Sequence, residues 1–218
     1  MAAVILSNVL ASIWLSAHPE DDELSLGGQG LATIGLWVGL VGTTAYATYR
    51  KGARSFKTDF GFVIRPVDGL IGLVTGILAQ VVLLPVIALL LRPVLGEPDV
   101  SRTTEKVVNS AEGIGLVVLL VFVVVGAALV EELFFRGLLL RSLLRRLGTP
   151  PAVVLSGILF GLAHPQALPA KALALVMVSL AALGAVLAVL AVRTGRLGAS
   201  IVAHATFNLW TLIALLSR

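Results

Sequence analysis

Cysteine is absent from this chain of 218 residues, which excludes disulfide bonds, thiolate catalysis and cysteine-based metal sites. Charged residues are scarce, at 13 % of the chain, and no lysine or arginine precedes Arg50. The N-terminal apolar segment therefore lacks the basic region of a cleaved signal peptide, and we do not expect it to be one. The sequence also lacks the HExxH motif of many metalloproteases and the paired aspartates that an aspartyl intramembrane protease needs within its apolar runs.

The chain is instead rich in hydrophobic residues, which form long apolar runs. Hydrophobic residues make up 58 % of the sequence, and the mean hydropathy is +1.02. A soluble domain of this size does not need so many apolar residues, so we expect the protein to be surrounded by membrane lipid. The sequence predicts an all-α fold, a polytopic transmembrane bundle of about six or seven helices in a single integral membrane domain. The predicted spans are residues 29–49, 69–91, 113–130, 151–163, 169–192 and 197–217, with the shorter run 2–17 as the seventh, and the domain is the whole of residues 1–218.

The distribution of charge points to a membrane and not to nucleic acid. The formal net charge is +4, and the basic residues concentrate at 50–65, 136–146 and 193–196. The intervening connections, 20–23 and 97–112, are mainly acidic. This alternation is typical of the positive-inside rule. It predicts a multi-pass plasma-membrane protein of bacterial type, with the basic loops in the cytoplasm and the C-terminus outside.

Few side chains in the apolar runs could carry chemistry. Glu132 and Arg136 are spaced i, i+4 with the acid first, which is the better orientation for an ion pair on a helix. Glu131 is rotated by about 100° from Glu132 on a helix, so it needs a partner of its own. The strongly polar residues within or at the ends of the apolar runs are Gln80, Glu131, Glu132, Arg136, His164, His204 and Asn208.

The turn LGTPP predicts that two of these residues meet. Glu131 lies 17 residues before Gly148, and His164 lies 14 residues after Pro150. If both arms of the turn are helical and antiparallel, their lengths differ by only about 5 Å, so Glu131 and His164 lie at nearly the same level. A carboxylate that faces an imidazole can hold and deprotonate a water molecule.

Two further pairs have helical spacing. His204 and Asn208, in HATFN, share one face and could donate N–H groups to an oxyanion in a water-poor site. Phe160 and His164, in FGLAH, share another face. The polar residues therefore come as a small set of pairs that a helical bundle could bring together.

Three ordered motifs, EExxxR from Glu131, FxxxH from Phe160 and HxxxN from His204, resemble those of the CPBP family. That family comprises the type II CAAX prenyl endopeptidases and bacterial bacteriocin-processing and immunity relatives, also called the Abi family. The resemblance covers residues 113–216. It implies a glutamate-dependent intramembrane endopeptidase that acts on a peptide or membrane-protein substrate, with no cofactor and no metal.

The resemblance also implies a role for each motif residue. Glu131 would be the general base and would act with His164 on the attacking water. His204 and Asn208 would stabilise the oxyanion. The residues that would support the geometry of the site are Glu132, Arg136 and Phe160.

Other functions stay open on the residues alone. Ser200 and His204 are spaced i, i+4, but a rhomboid-type GxSG loop is missing, and we interpret Ser200 as a helix N-cap. A metal-dependent enzyme could use Glu131, His164 and His204 as three zinc ligands. A membrane scaffold or immunity protein would use the same residues only to hold helices together. A transporter would use the buried Glu and His side chains as a proton relay.

Overall fold

The computed structural model of this protein describes residues 2–19, 24–111 and 113–217. The acidic residues 20–23 and Glu112, which contribute to the predicted charge alternation, lie outside the described residues. All regular secondary structure in the described part is helical. In chain order its helices are α1 Ala2–Ala17, α2 Leu26–Lys51, α3 Phe56–Phe60, α4 Pro66–Leu95, α5 Arg102–Asn109, α6 Ile114–Leu147, α7 Thr149–Leu162, α8 Ala170–Thr194 and α9 Gly198–Leu216.

Five of these helices, α2, α4, α6, α8 and α9, are long and apolar enough to cross a membrane. Helices α1 and α7 are also apolar, but they have only 16 and 14 residues. At about 1.5 Å per residue they span about 24 and 21 Å, less than the hydrocarbon core of about 30 Å. The predicted all-α membrane bundle is confirmed. The predicted span 151–163 forms a helix that is too short to cross the core upright.

The chain divides into two compact units, Met1–Ser55 and Phe56–Arg218. In the first unit α1 and α2 form an antiparallel hairpin, in which Gly39 packs directly on the backbone of Ala3. The second unit contains α3 to α9 and all the candidate site residues. The single domain spanning residues 1–218 stays a prediction.

Close packing of α4 on α9 organises the second unit. A Cβ atom on Gly72 would lie 2.5 Å from the Cβ of Val202, and one on Gly76 would lie 2.6 Å from the carbonyl oxygen of Ala203. Only glycine permits this approach, which is a common device for packing helices in membranes. Helix α9 is therefore held along its first half, just before the residues that the sequence analysis assigns to catalysis.

A buried ion pair fixes the start of α9 against the start of α4. Asp68 is fully buried, and its carboxylate accepts hydrogen bonds from Arg196 Nη2 at 2.7 Å and Nε at 2.9 Å. The same carboxylate caps α4 by accepting a hydrogen bond from the backbone N–H of Arg65. The backbone N–H of Leu197 donates to the carbonyl of Gly61 at 2.8 Å. The turn between α8 and α9 is thus tied to two preceding segments.

The predicted hairpin between α6 and α7 is present. Gly148, at φ 74°, ends α6, and α7 begins at once with Thr149. Glycines on α7 allow it to pack tightly on α8, because a Cβ on Gly157 would lie 2.6 Å from the carbonyl oxygen of Ala181. Phe160 of α7 also packs edge-on against Phe135 of α6, and His164 follows just beyond the end of α7.

Candidate active site

Helix α6 changes its hydrogen-bonding pattern around the two adjacent glutamates. Its segments Val121–Gly126 and Leu133–Leu140 are π-helical, whereas Ala127–Glu132 between them is α-helical. π-Helical turns are rare and occur frequently at functional sites. Glu131 and Glu132 therefore stand at the end of a short α-helical stretch between two wider turns.

Glu132 and Arg136 form the ion pair that their spacing predicts. Arg136 Nη1 donates to Glu132 Oε1 at 2.8 Å, and both side chains are 0 % exposed. Arg136 Nη2 also donates to the carbonyl of Gly184 on α8 at 3.0 Å. The guanidinium carbon lies 4.2 Å from the centre of the Phe160 ring, a favourable cation–π distance. The pair therefore ties α6 to α7 and α8.

Glu132 has a second partner, which the sequence analysis did not predict. The Nδ1 atom of His204 lies 3.1 Å from Glu132 Oε1, the same oxygen that Arg136 contacts. An ionised carboxylate only accepts hydrogen bonds, so Nδ1 carries the proton in this contact. The Nε2 atom of His204 is left for another partner. Glu132 thus fixes both the tautomer and the orientation of His204.

Glu131 and His164 meet, as the hairpin geometry predicts. Glu131 Oε2 lies 3.3 Å from His164 Nε2, and their side chains are 14 % and 28 % exposed. His164 Nδ1 lies 2.7 Å from the carbonyl oxygen of Phe160, so Nδ1 is the donor there. The Nε2 atom that faces Glu131 therefore carries a proton only when the imidazole is charged.

The pKa of His164 reflects two opposing effects. Burial of the ring disfavours the charged imidazolium, but the adjacent Glu131 carboxylate outweighs burial and raises the pKa above its ordinary value. The Glu131 carboxylate therefore stabilises the charged imidazolium of His164. The two groups share one proton between an acid and a base, an arrangement suited to proton transfer.

Phe160 lies at the centre of the site. Its ring is 1 % exposed, and its centroid lies 4.6 Å from the His164 ring and 5.6 Å from the His204 ring. With Arg136 packed on it as well, Phe160 contacts both histidines and the buried cation. An apolar ring in this position keeps water away from the Glu132 pair.

Asn208 donates from Nδ2 to the carbonyl of Val123 at 2.8 Å. Val123 lies in the first π-helical segment of α6, in which the carbonyls follow a different bonding pattern from that of an α-helix. A primary amide has two N–H hydrogens, so one remains on Asn208 after this bond. The half-buried Asn208 therefore keeps a donor on the same face of α9 as His204.

Comparison with known proteins matches part of the chain to a family model. Residues 113–210 match the model described as Rce1-like, type II CAAX prenyl endopeptidase. This match supports the predicted resemblance to the CPBP family. No curated protein matches the chain, and no solved structure matches it.

The matched segment contains every residue of the three motifs, from Glu131 to Asn208. The matched family is one of type II CAAX prenyl endopeptidases, which supports a protease role for this segment. The five long apolar helices separately indicate a membrane protein.

The structure changes two interpretations from the sequence, one of Ser200 and one of a possible metal site. Ser200 is not the N-cap of α9, because the helix begins at Gly198 with Leu197 as its N-cap. The fully buried Ser200 hydroxyl instead donates to the Leu197 carbonyl at 3.0 Å. In the described part of the chain, no three His, Asp or Glu side chains lie together as a metal site requires. The three-ligand set of Glu131, His164 and His204 is not assembled there.

The Asp68–Arg196 pair was not predicted from the sequence. Arg196 was counted only among the basic residues at 193–196. A single aspartate buried at the start of an apolar helix was the available signal, because a buried carboxylate needs a cation. Since 128 positions separate the two residues, no local pattern identifies the partner.

Proposed function

We propose that this protein is an intramembrane endopeptidase that hydrolyses a peptide bond with a water molecule activated by Glu131 and His164. The observation that carries the proposal is the 3.3 Å approach of Glu131 Oε2 to His164 Nε2. Glu131 lies on α6 and His164 just beyond the end of α7, and both side chains are partly exposed, although Glu131 Oε2 itself is buried without a hydrogen-bond partner among the described residues. The family match supports the reaction class.

Glu131 is the base in this mechanism. A water held beside the pair gives its proton to the Glu131 carboxylate while the His164 Nε2–H orients it by a hydrogen bond. The resulting hydroxide attacks the scissile carbonyl carbon and gives a tetrahedral oxyanion. When the intermediate collapses, the C–N bond breaks and the proton on Glu131 passes to the leaving amine. Atoms and charge balance without any further reactant.

His204 and Asn208 stabilise the oxyanion. His204 donates its Nδ1–H to Glu132, so the imidazolium form of His204 can also donate its Nε2–H to the developing negative charge. The remaining amide hydrogen of Asn208 supplies a second donor. Because Arg136 and Phe160 hold Glu132 and both rings, these donors are positioned before the substrate arrives.

The name of the matched family suggests the first substrate to try, a C-terminal CAAX peptide carrying a prenyl group. We propose a peptide or a membrane protein as the partner, and neither nucleic acid nor a cofactor. The proposed reaction is also metal-independent, since both proton transfer and oxyanion stabilisation are assigned to side chains of this chain.

One specific observation favours a second candidate function. Glu132 and Arg136 are fully buried and contact three other helices, α7, α8 and α9, which is what a non-catalytic scaffold would require. The scaffold hypothesis predicts that Glu131 also serves packing only. Its partial exposure and its separation from the Glu132 network argue for the enzyme.

The test uses purified protein in lipid nanodiscs and a farnesylated CAAX-terminated peptide, with products identified by mass spectrometry. We expect cleavage by the wild type and a loss of roughly 10²–10⁴-fold in Glu131→Gln, the usual contribution of a general base. Ser200→Ala is the control and is expected to retain activity. Equal cleavage by Glu131→Gln contradicts the mechanism. Loss of activity on chelation, with recovery on adding zinc, contradicts the metal-independent reaction.

A further inference from the structure

Gln80 is an amide side chain in the middle of the apolar helix α4, and the mechanism above gives it no role. It lies in a third π-helical segment, Ala79–Leu83. Strongly polar groups are costly in the hydrocarbon region, and those that occur there often belong to functional sites. The contacts of Gln80 show which of its atoms is available.

The orientation of the Gln80 amide is fixed by α9. Gln80 Nε2 donates to the carbonyl oxygen of Phe207 at 3.0 Å and to the hydroxyl of Thr211. Thr211 donates in turn to the same Phe207 carbonyl at 3.1 Å. A backbone carbonyl only accepts, so the nitrogen end of the amide must face α9. Both Nε2 hydrogens are used, and the Oε1 acceptor points away from these partners.

Oε1 accepts no hydrogen bond from the described residues, and Gln80 is only half-buried. A carbonyl acceptor in an apolar environment is unfavourable unless it finds a donor. A ligand group with an N–H donor would satisfy the Oε1 acceptor of Gln80. In a peptidase, the obvious source of N–H groups is the backbone of an extended substrate.

Gln80 lies next to the proposed oxyanion donors. At about 100° per residue, Thr211 is only about 20° from His204 around α9, so both belong to one face. At about 1.5 Å per residue, Thr211 is about 4.5 Å beyond Asn208 and about 10 Å beyond His204 along the helix. An extended peptide advances about 3.3 Å per residue. Gln80 is therefore about one to three substrate residues from the scissile carbonyl.

We propose that Gln80, held by Thr211, is a substrate-binding residue whose Oε1 accepts a backbone N–H of the peptide close to the scissile bond. This inference rests on the proposed peptidase function. The contact does not depend on the side chain of the substrate residue, because every residue except proline offers a backbone N–H. Proline at the contacted substrate position is correspondingly disfavoured.

The test is an ester scan of the farnesylated CAAX peptide. Replacing one backbone amide at a time by an ester removes a single N–H and adds no bulk. Binding of each peptide is measured in the Glu131→Gln background, with Gln80 intact or replaced by Met, which keeps the length of the side chain. Val82→Thr, at a position 50 % exposed on the same π-helical segment, is the matched control.

With Gln80 intact, we expect one ester position to weaken binding by roughly 5–10-fold, the effect of one hydrogen bond. The same ester should change binding by less than about twofold in Gln80→Met, because the acceptor is gone. The Val82→Thr control should behave like the protein with Gln80 intact. Equal ester effects with and without Gln80 overturn the proposal, as does a Gln80→Met variant that binds every peptide normally.

The binding readout separates this proposal from the proposed function. If position-specific coupling to Gln80 is found but the wild type cleaves no peptide, the peptidase proposal fails and the binding residue stands. If the wild type cleaves but no ester position couples to Gln80, only the binding residue fails. If no peptide binds at all, both are wrong.

Discussion

Two adjacent glutamates in this protein have opposite environments. Glu132 is 0 % exposed, and one of its oxygens contacts both Arg136 at 2.8 Å and His204 at 3.1 Å. Glu131 is 14 % exposed and has a single close partner, His164, at 3.3 Å. A helical rotation of about 100° between neighbours is enough to place one carboxylate in the packed interior and the other at an accessible site.

The comparison shows how a membrane protein can retain a reactive carboxylate. A buried ion pair contributes little net stability, but it is costly to break once it is formed. Glu132 is held in such a buried ion pair, and it also orients His204. Glu131 is left with a partner that can exchange a proton. We infer that the first glutamate serves chemistry and the second serves structure, and the predictions below are designed to separate these roles.

The largest effect on stability is expected for Glu132→Gln. The substitution leaves the fully buried Arg136 without its counter-charge, which typically costs about 3–5 kcal/mol. Thermal unfolding in detergent should show a large drop in Tm, and the yield of folded protein should fall. Glu131→Gln, at the accessible position, is the matched control and should change Tm little. Similar Tm values for the two variants would contradict the division of roles.

A smaller effect is expected for Asp68→Asn. This substitution weakens the two hydrogen bonds from Arg196 that fix the start of α9. We expect Tm to fall by less than in Glu132→Gln, because Arg196 can reach solvent more readily than Arg136. The control is Arg92→Gln, which removes an ion pair with Glu97 whose side chains are 61 % and 71 % exposed. The exposed pair should contribute almost nothing. An equal Tm change in Asp68→Asn and Arg92→Gln would show that the Asp68 pair is not a structural anchor.

The smallest effect is a pH dependence of the Glu131–His164 contact. The pKa of His164 is raised in the folded protein, so the contact stabilises the fold fully below the unfolded pKa of roughly 6.5. That contribution is lost as pH rises through the folded pKa. The Tm difference between wild type and His164→Gln should therefore shrink as pH increases from about 6 to 9. A difference that grows with pH over this range would contradict a charged pair.

The sequence predicts contacts that depend on local geometry. The Glu132–Arg136 pair follows from i, i+4 spacing, and the meeting of Glu131 with His164 follows from the arm lengths of one hairpin. The close approach of Gly72 and Gly76 to α9, by contrast, joins distant parts of the chain, and Gly69 on the same helix has open space beside it.

Contacts between distant helices could not be derived in the same way. Glu132 and His204 are 72 positions apart, and their contact depends on how α6 and α9 approach. The π-helical turns of α4 and α6 were also not predicted from the sequence. These turns nevertheless present Gln80 and the Val123 carbonyl to α9, so the finer geometry of the site depends on them.

The most direct test of the account compares peptides released from membranes of cells that produce wild type, Glu131→Gln or Ser200→Ala at matched levels of folded protein. The account predicts cleavage products that are present with the wild type and Ser200→Ala and absent with Glu131→Gln, and these products would also identify the substrate. Peptide profiles that are identical with wild type and Glu131→Gln would contradict catalysis by Glu131 and favour a scaffold.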